Sequence, residues 1–185
     1  MLNRCAWADR AELRYQQYHD QEWGKLNLDE RYLYEMLVLE TAQAGLSWRT
    51  VLQKRAHYRQ AFANFDVNQV AKFGASDYQR LMQDPGLIRN RLKIKAAIHN
   101  AQVVVRLHQN HETLAGLLQA LVPKVIVNHP QTIAEVPTQT PLSAQVARAM
   151  QQRGFKFIGP TTSYAYLQAV GLINDHIETC SFKYR

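Results

Sequence analysis

Apolar residues recur at helical spacing along most of the chain, separated by polar residues that suit helix ends. Leu33, Met36 and Leu37 share one face of a helix that Asp29 can cap and that continues to about Ala42. The same pattern predicts further helices that start at Ser47, Asp66 and Ser76, and others over residues 90–109, 112–122, 143–154 and 160–174. We therefore expect an all-α protein of two lobes, one holding the middle helices and the other bringing the chain ends together.

Two segments interrupt the helical pattern. Residues 123–141 are rich in proline and threonine and are typical of a loop, in which residues 125–127 are either extended or the end of a helix. Asp84-Pro85-Gly86 predicts a tight turn between two helices, so that residues 77–109 form a helix-hairpin-helix. No internal repeat or low-complexity tract divides the chain, and we expect one domain over residues 1–185.

Composition and charge narrow the classes of partner. Of the 185 residues 46% are hydrophobic, enough for a core, and the formal net charge is +7 with a pI of about 9.5. A basic protein favours an acidic partner, of which a nucleic-acid backbone is the commonest. The first ten residues lack the apolar region of a signal peptide, and no apolar run approaches the length of a membrane span. We therefore expect a cytoplasmic protein without a membrane partner.

The two cysteines of the chain lie near its opposite ends, each with a histidine nearby. Cys5 precedes His19, and His176 precedes Cys180 at the i, i+4 spacing that a helix would place on one face. Two thiolates and two imidazoles are a common tetrahedral set for zinc, and four protein ligands leave no position for a reactive water. The pattern suggests a structural zinc site that joins the chain ends. On spacing alone, two unrelated thiols and two surface histidines are an equal alternative, whereas a Cys5–Cys180 disulfide would suit a secreted protein, which nothing else indicates.

Glu40 is out of place in the apolar pattern. It lies on the helix face of Leu33 and Met36, which the pattern assigns to the core. A buried carboxylate is costly unless it is paired or hydrogen-bonded. Either the helix phase is slightly different and Glu40 lies at a solvated edge, or the carboxyl group is an acceptor at the bottom of a pocket.

Aromatic residues are concentrated in the first 48 positions, which hold all three tryptophans of the chain. Flat aromatic walls with a few polar groups suit a flat ligand such as a nucleobase. An ordinary aromatic core cluster is the alternative for any one of these residues, but a carboxylate among them favours a pocket. The candidate pocket residues are Trp7, Tyr15, Tyr18, Trp23 and Trp48.

The turn at residues 84–86 has features of a grip on a phosphate backbone. Exposed N–H groups at a glycine-containing turn ahead of a helix form a site suited to phosphate. Basic residues follow the turn, and we predict DNA contacts by Gly86, Leu87, Arg89, Arg91 and Lys93, with Lys95 close by. A helix-turn-helix with a solvated basic face is the alternative.

Several short motifs, spread over nearly the whole chain, resemble those of one family in the same order. They are Cys5-Ala6-Trp7, Tyr18-His19-Asp20, Glu22-Trp23-Gly24, Leu39-Glu40, Gln43-Ala44-Gly45-Leu46-Ser47-Trp48, Gly86-Leu87-Ile88-Arg89, Lys93-Ile94, Arg153-Gly154-Phe155-Lys156-Phe157-Ile158-Gly159 and Gly171-Leu172-Ile173-Asn174-Asp175-His176. The motif over residues 44–48 and the Asn-Asp-His motif are the most specific. The chain thus resembles the bacterial 3-methyladenine DNA glycosylase I family.

This resemblance implies a helix-hairpin-helix glycosylase fold with a structural Zn²⁺ bound by Cys5, His19, His176 and Cys180. It implies that Glu40 and Tyr18 hydrogen-bond a flipped base, that Trp48 stacks on it, and that Trp7, Tyr15 and Trp23 line the pocket. Gly45 and Leu46 match the element that fills the gap left in the duplex. Thr41-Ala42 and Ala56-His57 depart from the family pattern, which leaves the selectivity of the pocket open.

The function implied is hydrolytic excision of N3-methyladenine from double-stranded alkylated DNA by a monomeric, monofunctional glycosylase. The products are free 3-methyladenine and an abasic site. Helix-hairpin-helix glycosylases of the broader superfamily carry an essential Asp after the hairpin, but residues 85–111 contain no acid. The weak glycosidic bond of a cationic methylated base makes strong acid or nucleophilic catalysis unnecessary. The alternatives are a non-catalytic DNA-binding module and a zinc hydrolase or deaminase, although the His-x-Glu signature of the deaminases is absent.

Overall fold

The computed structural model describes residues 2–184, and these residues are mostly helical. Two short 3₁₀ turns, over Ala63–Phe65 and Ile133–Glu135, and two short strands complete the secondary structure. The elements are α1 (Leu13–Gln21), α2 (Glu30–Gln43), α3 (Trp48–Ala61), α4 (Val67–Val70), α5 (Ala75–Gln83), α6 (Arg91–Gln109), α7 (Leu114–Leu121), β1 (Ile126–Val127), α8 (Pro141–Gln152), α9 (Pro160–Ala169) and β2 (Ile173–Asn174).

Most predicted helix starts are confirmed. At these starts the predicted capping side chain accepts a hydrogen bond from the first turn of the helix. The carboxylate of Asp29 accepts from the Tyr32 amide at 2.9 Å, and Ser47 Oγ accepts from the Thr50 amide at 3.2 Å. Asp66 and Asn90 cap α4 and α6 in the same way.

Two predicted starts are wrong by one to three residues. Helix α5 begins after Gly74, whose amide donates to Asp77. Helix α8 begins after Thr140, with Pro141 in its first turn, and Ser143 forms a reciprocal capping box with Thr140. In both cases the side chain of the third helical residue completes the cap, so the polar residue nearest to the apolar pattern is not the cap itself.

The last helix is shorter than predicted, and the fold is not purely α-helical. Helix α9 ends at Ala169, and Ile173–Asn174 pairs in parallel with Ile126–Val127. Gly171 ends the helix with φ +76°, and a Cβ at this position would lie 2.0 Å from the backbone carbon of Lys25. Only glycine fits both the left-handed backbone and this close approach. Residues 125–127 are thus extended, the first of the two alternatives for this segment.

Helix α2 is the centre of the fold. It is buried continuously from Leu33 to Ala42 and packs against α3, α6, α7 and α9. Tyrosine hydroxyl groups connect the layers: the Tyr34 hydroxyl donates to the carbonyl of Ala97, and that of Tyr166 donates to the carbonyl of Leu33. Glu40, near the end of α2, is therefore held by a backbone that four neighbouring helices fix in place.

None of the helices within residues 2–184 combines the length and the apolar character that crossing a bilayer requires.

Candidate active site and metal cluster

A cavity of about 340 Å³ opens beside the end of α2. All five aromatic residues predicted for a pocket line it, and Glu40 lies among them. The Trp7 ring meets those of Tyr15 and Trp23 edge to face, with centroids 5.2 and 5.1 Å apart. The structure thus brings together residues from three separate stretches of sequence: the N-terminal segment with α1, α2, and the start of α3.

Glu40 is buried, with 5% of its surface exposed. Its Oε2 atom has no hydrogen-bond partner among the described residues. Burial raises the pKa of this carboxyl group from 4.5 to about 8. The helix phase predicted for Glu40 is confirmed, and the alternative of a solvated edge is wrong. An unpartnered acceptor at a cavity wall is chemically suited to a ligand that donates hydrogen bonds or carries positive charge.

Tyr18 and Trp48 form the deep part of the aromatic wall. Both are buried, and their ring centroids lie 5.2 Å apart. Burial, with a smaller contribution from the nearby Glu40 carboxylate, raises the pKa of Tyr18 well above its ordinary value, so its hydroxyl group keeps its proton. Trp48 Nε1 is a second buried polar atom without a partner in the described part of the chain.

The opposite wall comes from residues that carry no sequence signal for a pocket. The loop around the second 3₁₀ turn and one face of α9 contribute Ile133, Val136, Pro137, Thr138, Thr161, Tyr164, Ala165 and Gln168, and Gln43 lines the cavity from the end of α2. The proline- and threonine-rich composition of residues 123–141 predicted a loop but not its position. Loops often carry binding residues, and this one closes the cavity because β1 and β2 anchor its beginning beside α9.

An exposed turn between α2 and α3 lies next to the cavity. Gly45 has φ +81° with open space around it, and the Leu46 side chain is 44% exposed. Lys93 of α6 holds this turn from behind, since its ammonium group donates to the carbonyl of Ala42 at 2.8 Å and to that of Ala44 at 2.5 Å. Leu46, exposed on a turn that Lys93 holds in place, is suited to insertion into an apolar partner.

Lys93 is therefore not placed as the sequence predicted. Its side chain is buried, with 8% of the residue exposed, and burial lowers its pKa. The ammonium group supplements the last carbonyl groups of α2, as a cation at a helix C-terminus does. We assign it to bracing residues 42–44 and do not retain it as a phosphate contact.

The backbone amides of the turn between α5 and α6 are less available to a phosphate than the sequence suggested. The Gly86 amide donates to Asp84 Oδ1 at 2.7 Å, and the Leu87 amide donates to the Asp84 carbonyl at 3.2 Å. Arg89 and Arg91 are exposed. The side chains of these arginines, more than the amides of the turn, are thus available to an anionic backbone.

The four predicted metal ligands meet in one buried cluster. One ligand atom from each of Cys5, His19, His176 and Cys180 lies within 4.8 Å of the others. The Cys180 sulfur is 3.3 Å from His176 Nδ1 and 3.7 Å from His19 Nε2, and the Cys5 sulfur is 3.6 Å from His176 Nδ1. Ordinary zinc–sulfur and zinc–nitrogen bonds in a tetrahedron imply sulfur–nitrogen separations of about 3.5 Å. The residues fit a four-coordinate metal ion.

The helical arrangement expected for His176 and Cys180 is wrong, although the two residues do meet. The chain after β2 is extended, and a turn at residues 178–179 brings Cys180 back, its amide donating to the Ile177 carbonyl at 2.9 Å. The turn thus brings His176 and Cys180 together as closely as one turn of a helix would.

The outer nitrogen of each histidine ring has a partner that fixes its orientation. His19 Nδ1 lies 2.8 Å from Asp20 Oδ1, and His176 Nε2 lies 2.9 Å from the Trp23 carbonyl oxygen. These contacts turn the other nitrogen of each ring toward the cysteines, as supporting contacts of metal sites do. The hydrogen bond from the Cys5 thiol lowers the pKa of Cys180, which favours its thiolate.

The cluster and the cavity share two aromatic side chains. The Trp23 ring lies 4.7 Å from the His176 ring, and the Trp7 ring lies 5.0 Å from the His19 ring, centroid to centroid. Both tryptophans also line the cavity. The position of one cavity wall therefore depends on the packing of the cluster.

Comparison with known proteins gives matches over nearly the full chain. The family model described as methyladenine glycosylase matches residues 7–184. The DNA-3-methyladenine glycosylase of Haemophilus influenzae is 42% identical over 184 residues, which cover 99% of each protein.

Solved structures agree with the fold. A crystal structure of a 3-methyladenine DNA glycosylase I is 43% identical, with a TM-score of 0.94 over 97% of this chain and 98% of the other. A second structure, a variant 3-methyladenine DNA glycosylase I in complex with 3-methyladenine, is 32% identical, with a TM-score of 0.93 over 100% of this chain and 99% of the other. The likeness thus includes a protein seen with the methylated base bound.

Proposed function

This chain belongs to the methyladenine glycosylase family and is a glycosylase, and from that premise we propose that it excises N3-methyladenine from alkylated double-stranded DNA. The enzyme flips the damaged nucleotide out of the helix, and water hydrolyses the bond between its base and its sugar. The products are free 3-methyladenine and an abasic site. Family membership decides against a non-catalytic DNA-binding module.

The observation that carries the substrate is the unpartnered carboxyl oxygen of Glu40 within an aromatic cavity. N3-methyladenine in DNA is cationic, so its binding favours the ionised form of Glu40, and that carboxylate complements its charge and accepts from its exocyclic amine. Trp48 and Tyr18 cover a flat ring from the sides, and neutral adenine gains the stacking but not the charge interaction. Selectivity follows from the charge difference, because a buried charged hydrogen bond is worth roughly 1.5–3 kcal/mol.

The chemistry needs little help beyond this pocket. The glycosidic carbon bonds to a water oxygen, the base leaves with the electron pair of the broken bond, and the proton of the water is released. A cationic base is already a good leaving group, which fits the absence of acidic residues from 85 to 111. The protein contributes mainly extrusion and selection, and flipping costs least for a damaged base.

Leu46 and the arginines after the hairpin supply the contacts that flipping requires. Leu46 is exposed on a braced turn next to the cavity and fills the gap that the extruded nucleotide leaves. Arg89 and Arg91 at the start of α6 bind phosphates of the helix-hairpin-helix grip. A net charge of +7 supports this assignment.

Cys5, His19, His176 and Cys180 hold a structural Zn²⁺ in this proposal. The donor set, the sulfur–nitrogen distances and the partnered outer ring nitrogens all fit a closed tetrahedral ion. When bound, the ion ties the N-terminal segment, which carries Trp7, to the C-terminal segment. It supplies stability and no step of the reaction.

The test is base release from duplex DNA treated with a methylating agent. We expect wild-type protein to liberate free 3-methyladenine, identified by chromatography, and to leave alkali-labile abasic sites in equal amount. Glu112→Gln, which changes an exposed carboxylate, should release the base at the wild-type rate. Wild-type protein that binds this DNA without releasing any methylated adenine would contradict the proposed function.

A further inference from the structure

The turn between α8 and α9 exposes an aromatic side chain beside the cavity. Phe155 and Ile158 are buried, whereas Lys156 and Phe157 between them point outward. Phe157 is 39% exposed, although it is one of the large apolar residues that the core would accept. Its φ is +60°, in the left-handed region that residues other than glycine, asparagine and aspartate rarely adopt.

Hydrogen bonds from two polar side chains, buried Asn100 and exposed Gln151, hold this backbone conformation. Asn100 of α6 is 1% exposed, and it accepts from the Lys156 amide at 2.8 Å while donating to the Lys156 carbonyl at 3.0 Å. Gln151 donates to the Ile158 carbonyl at 2.7 Å. Strained residues persist only where the surrounding structure fixes them, and they concentrate at functional sites. These hydrogen bonds fix the turn so that Phe157 is presented to the outside.

The turn is arranged like the one that carries Leu46. Lys93 and Asn100 are seven residues apart on α6, which places them on the same helix face about 10 Å from each other along its axis. Lys93 braces the Leu46 turn, and Asn100 braces the Phe157 turn. The cavity lies next to both, since Gln43 precedes the first turn, Thr161 follows the second, and both residues line the cavity.

We propose that Phe157 is a second apolar contact to the DNA, on the other side of the cavity mouth from Leu46. This proposal rests on the proposed function. Because Asn100 braces the turn of Phe157 and Lys93 braces that of Leu46, Phe157 stands on a separate turn and does not enter the gap that Leu46 fills. It packs against another base of the duplex near the flipped one. The exposed Lys156 beside it is positioned for the adjoining phosphate.

The test compares Phe157→Gly with wild type in binding a duplex that contains one tetrahydrofuran abasic site. Loss of a base–aromatic contact should weaken binding roughly five- to a hundred-fold. Glycine adopts a positive φ freely, so the melting temperature should not fall, whereas removal of a merely structural side chain would lower it. Phe157→Asn also tolerates this backbone and should weaken binding similarly.

Leu26→Ala is the matched control, since Leu26 is an exposed leucine at the opposite end of α9, where the Asn27 amide donates to the Val170 carbonyl. It should bind as wild type does. To place the contact, 2-aminopurine is substituted at each position within five nucleotides of the abasic site. Fluorescence of the probe should change at a position away from the abasic site with wild type and stay unchanged there with Phe157→Gly.

Wild-type affinity in both Phe157 variants, or a probe profile identical to that of wild type, would overturn the proposal. That result leaves the proposed function intact if wild-type protein still releases 3-methyladenine from methylated DNA and Leu46→Ala weakens abasic-site binding. Absence of base release by wild-type protein would instead contradict the proposed function itself.

Discussion

The Cys/His cluster and the aromatic cavity share the Trp7 and Trp23 side chains but differ in how their polar atoms are satisfied. In the cluster, the outer nitrogens of His19 and His176 have partners, and the inner ones face the cysteines. In the cavity, Glu40 Oε2 and Trp48 Nε1 are buried without partners in residues 2–184.

This difference separates a structural site from a binding site. Buried polar groups in folded proteins are nearly always hydrogen-bonded, and each exception requires an explanation. The cluster is saturated by its own residues and needs only an ion at its centre. The cavity retains an unmet acceptor and an unmet donor, which a ligand can satisfy. Thr41 Oγ1 and Ser163 Oγ are buried without partners too, but neither residue lines the cavity.

Breaking the cluster should have the largest effect on stability. A zinc ion bound at residues 5 and 180 closes a loop of nearly the whole chain, and a cross-link of that length is worth about 5 kcal/mol. Cys180→Ser should therefore lower the melting temperature strongly, and a chelator should lower that of wild type but not that of the variant. His129→Ala, which removes an exposed histidine, is the control and should respond to chelator as wild type does. A Cys180→Ser protein with wild-type stability but no activity would show that the cluster is not structural.

Neutralising Glu40 should affect stability in the opposite direction. Its pKa rises from 4.5 in the unfolded chain to about 8 in the folded protein, so the folded protein holds a proton that the unfolded chain releases between these values. The contribution of this group to the free energy of unfolding is fully present below about pH 4.5 and is lost as the pH rises through 8. At pH 7 the loss is on the order of 3 kcal/mol.

Glu40→Gln removes this dependence. The variant should therefore be more stable than wild type at pH 8, with the gap shrinking toward pH 5, as measured by urea denaturation at a series of pH values. Glu112→Gln, at an exposed position, should follow the wild-type curve. A gap that does not change with pH would mean that Glu40 ionises normally in the folded protein.

The DNA surface should show the smallest effect per residue. Arg91→Ala should reduce the slope of log affinity against log salt by about one, because one phosphate contact and its counterion release are lost. Lys93→Met should leave the slope unchanged, since the Lys93 ammonium group already binds carbonyl groups of α2. Fluorescence anisotropy with an abasic duplex over a salt series measures both. A wild-type slope near zero, or an equal drop for Lys93→Met, would contradict this division of roles.

The sequence predicted the elements whose local signals agree with their packing. The starts of α2, α3, α4 and α6 each combine a capping side chain with a strong apolar pattern. Helix α1 was not predicted, because it is short, has no side-chain cap, and buries only Tyr18 and His19. The end of α9 was misplaced because the pattern stays apolar through β2, and only the close approach of Lys25 to Gly171 shows why the helix stops.

The candidate site was predicted on one side only. The aromatic residues and Glu40 stand out by type, so the wall from the N-terminal half was visible in the sequence. The loop wall, including Val136 and Thr138, was not, because ordinary residues become a cavity wall only through the tertiary fold. Lys93 shows the converse, since a basic residue in a basic segment gives no sign that its side chain turns inward.

Titration of free 3-methyladenine into wild-type protein and into Glu40→Gln, followed by tryptophan fluorescence, tests most directly whether Glu40 recognises the base. Glutamine keeps the size of the side chain but replaces an acceptor with a donor that faces the exocyclic amine of the base. We predict that the variant binds the base roughly ten- to a hundred-fold more weakly, the loss expected for a charged hydrogen bond. Equal affinity of the two proteins would mean that Glu40 does not contact the base, and the central claim would then be wrong.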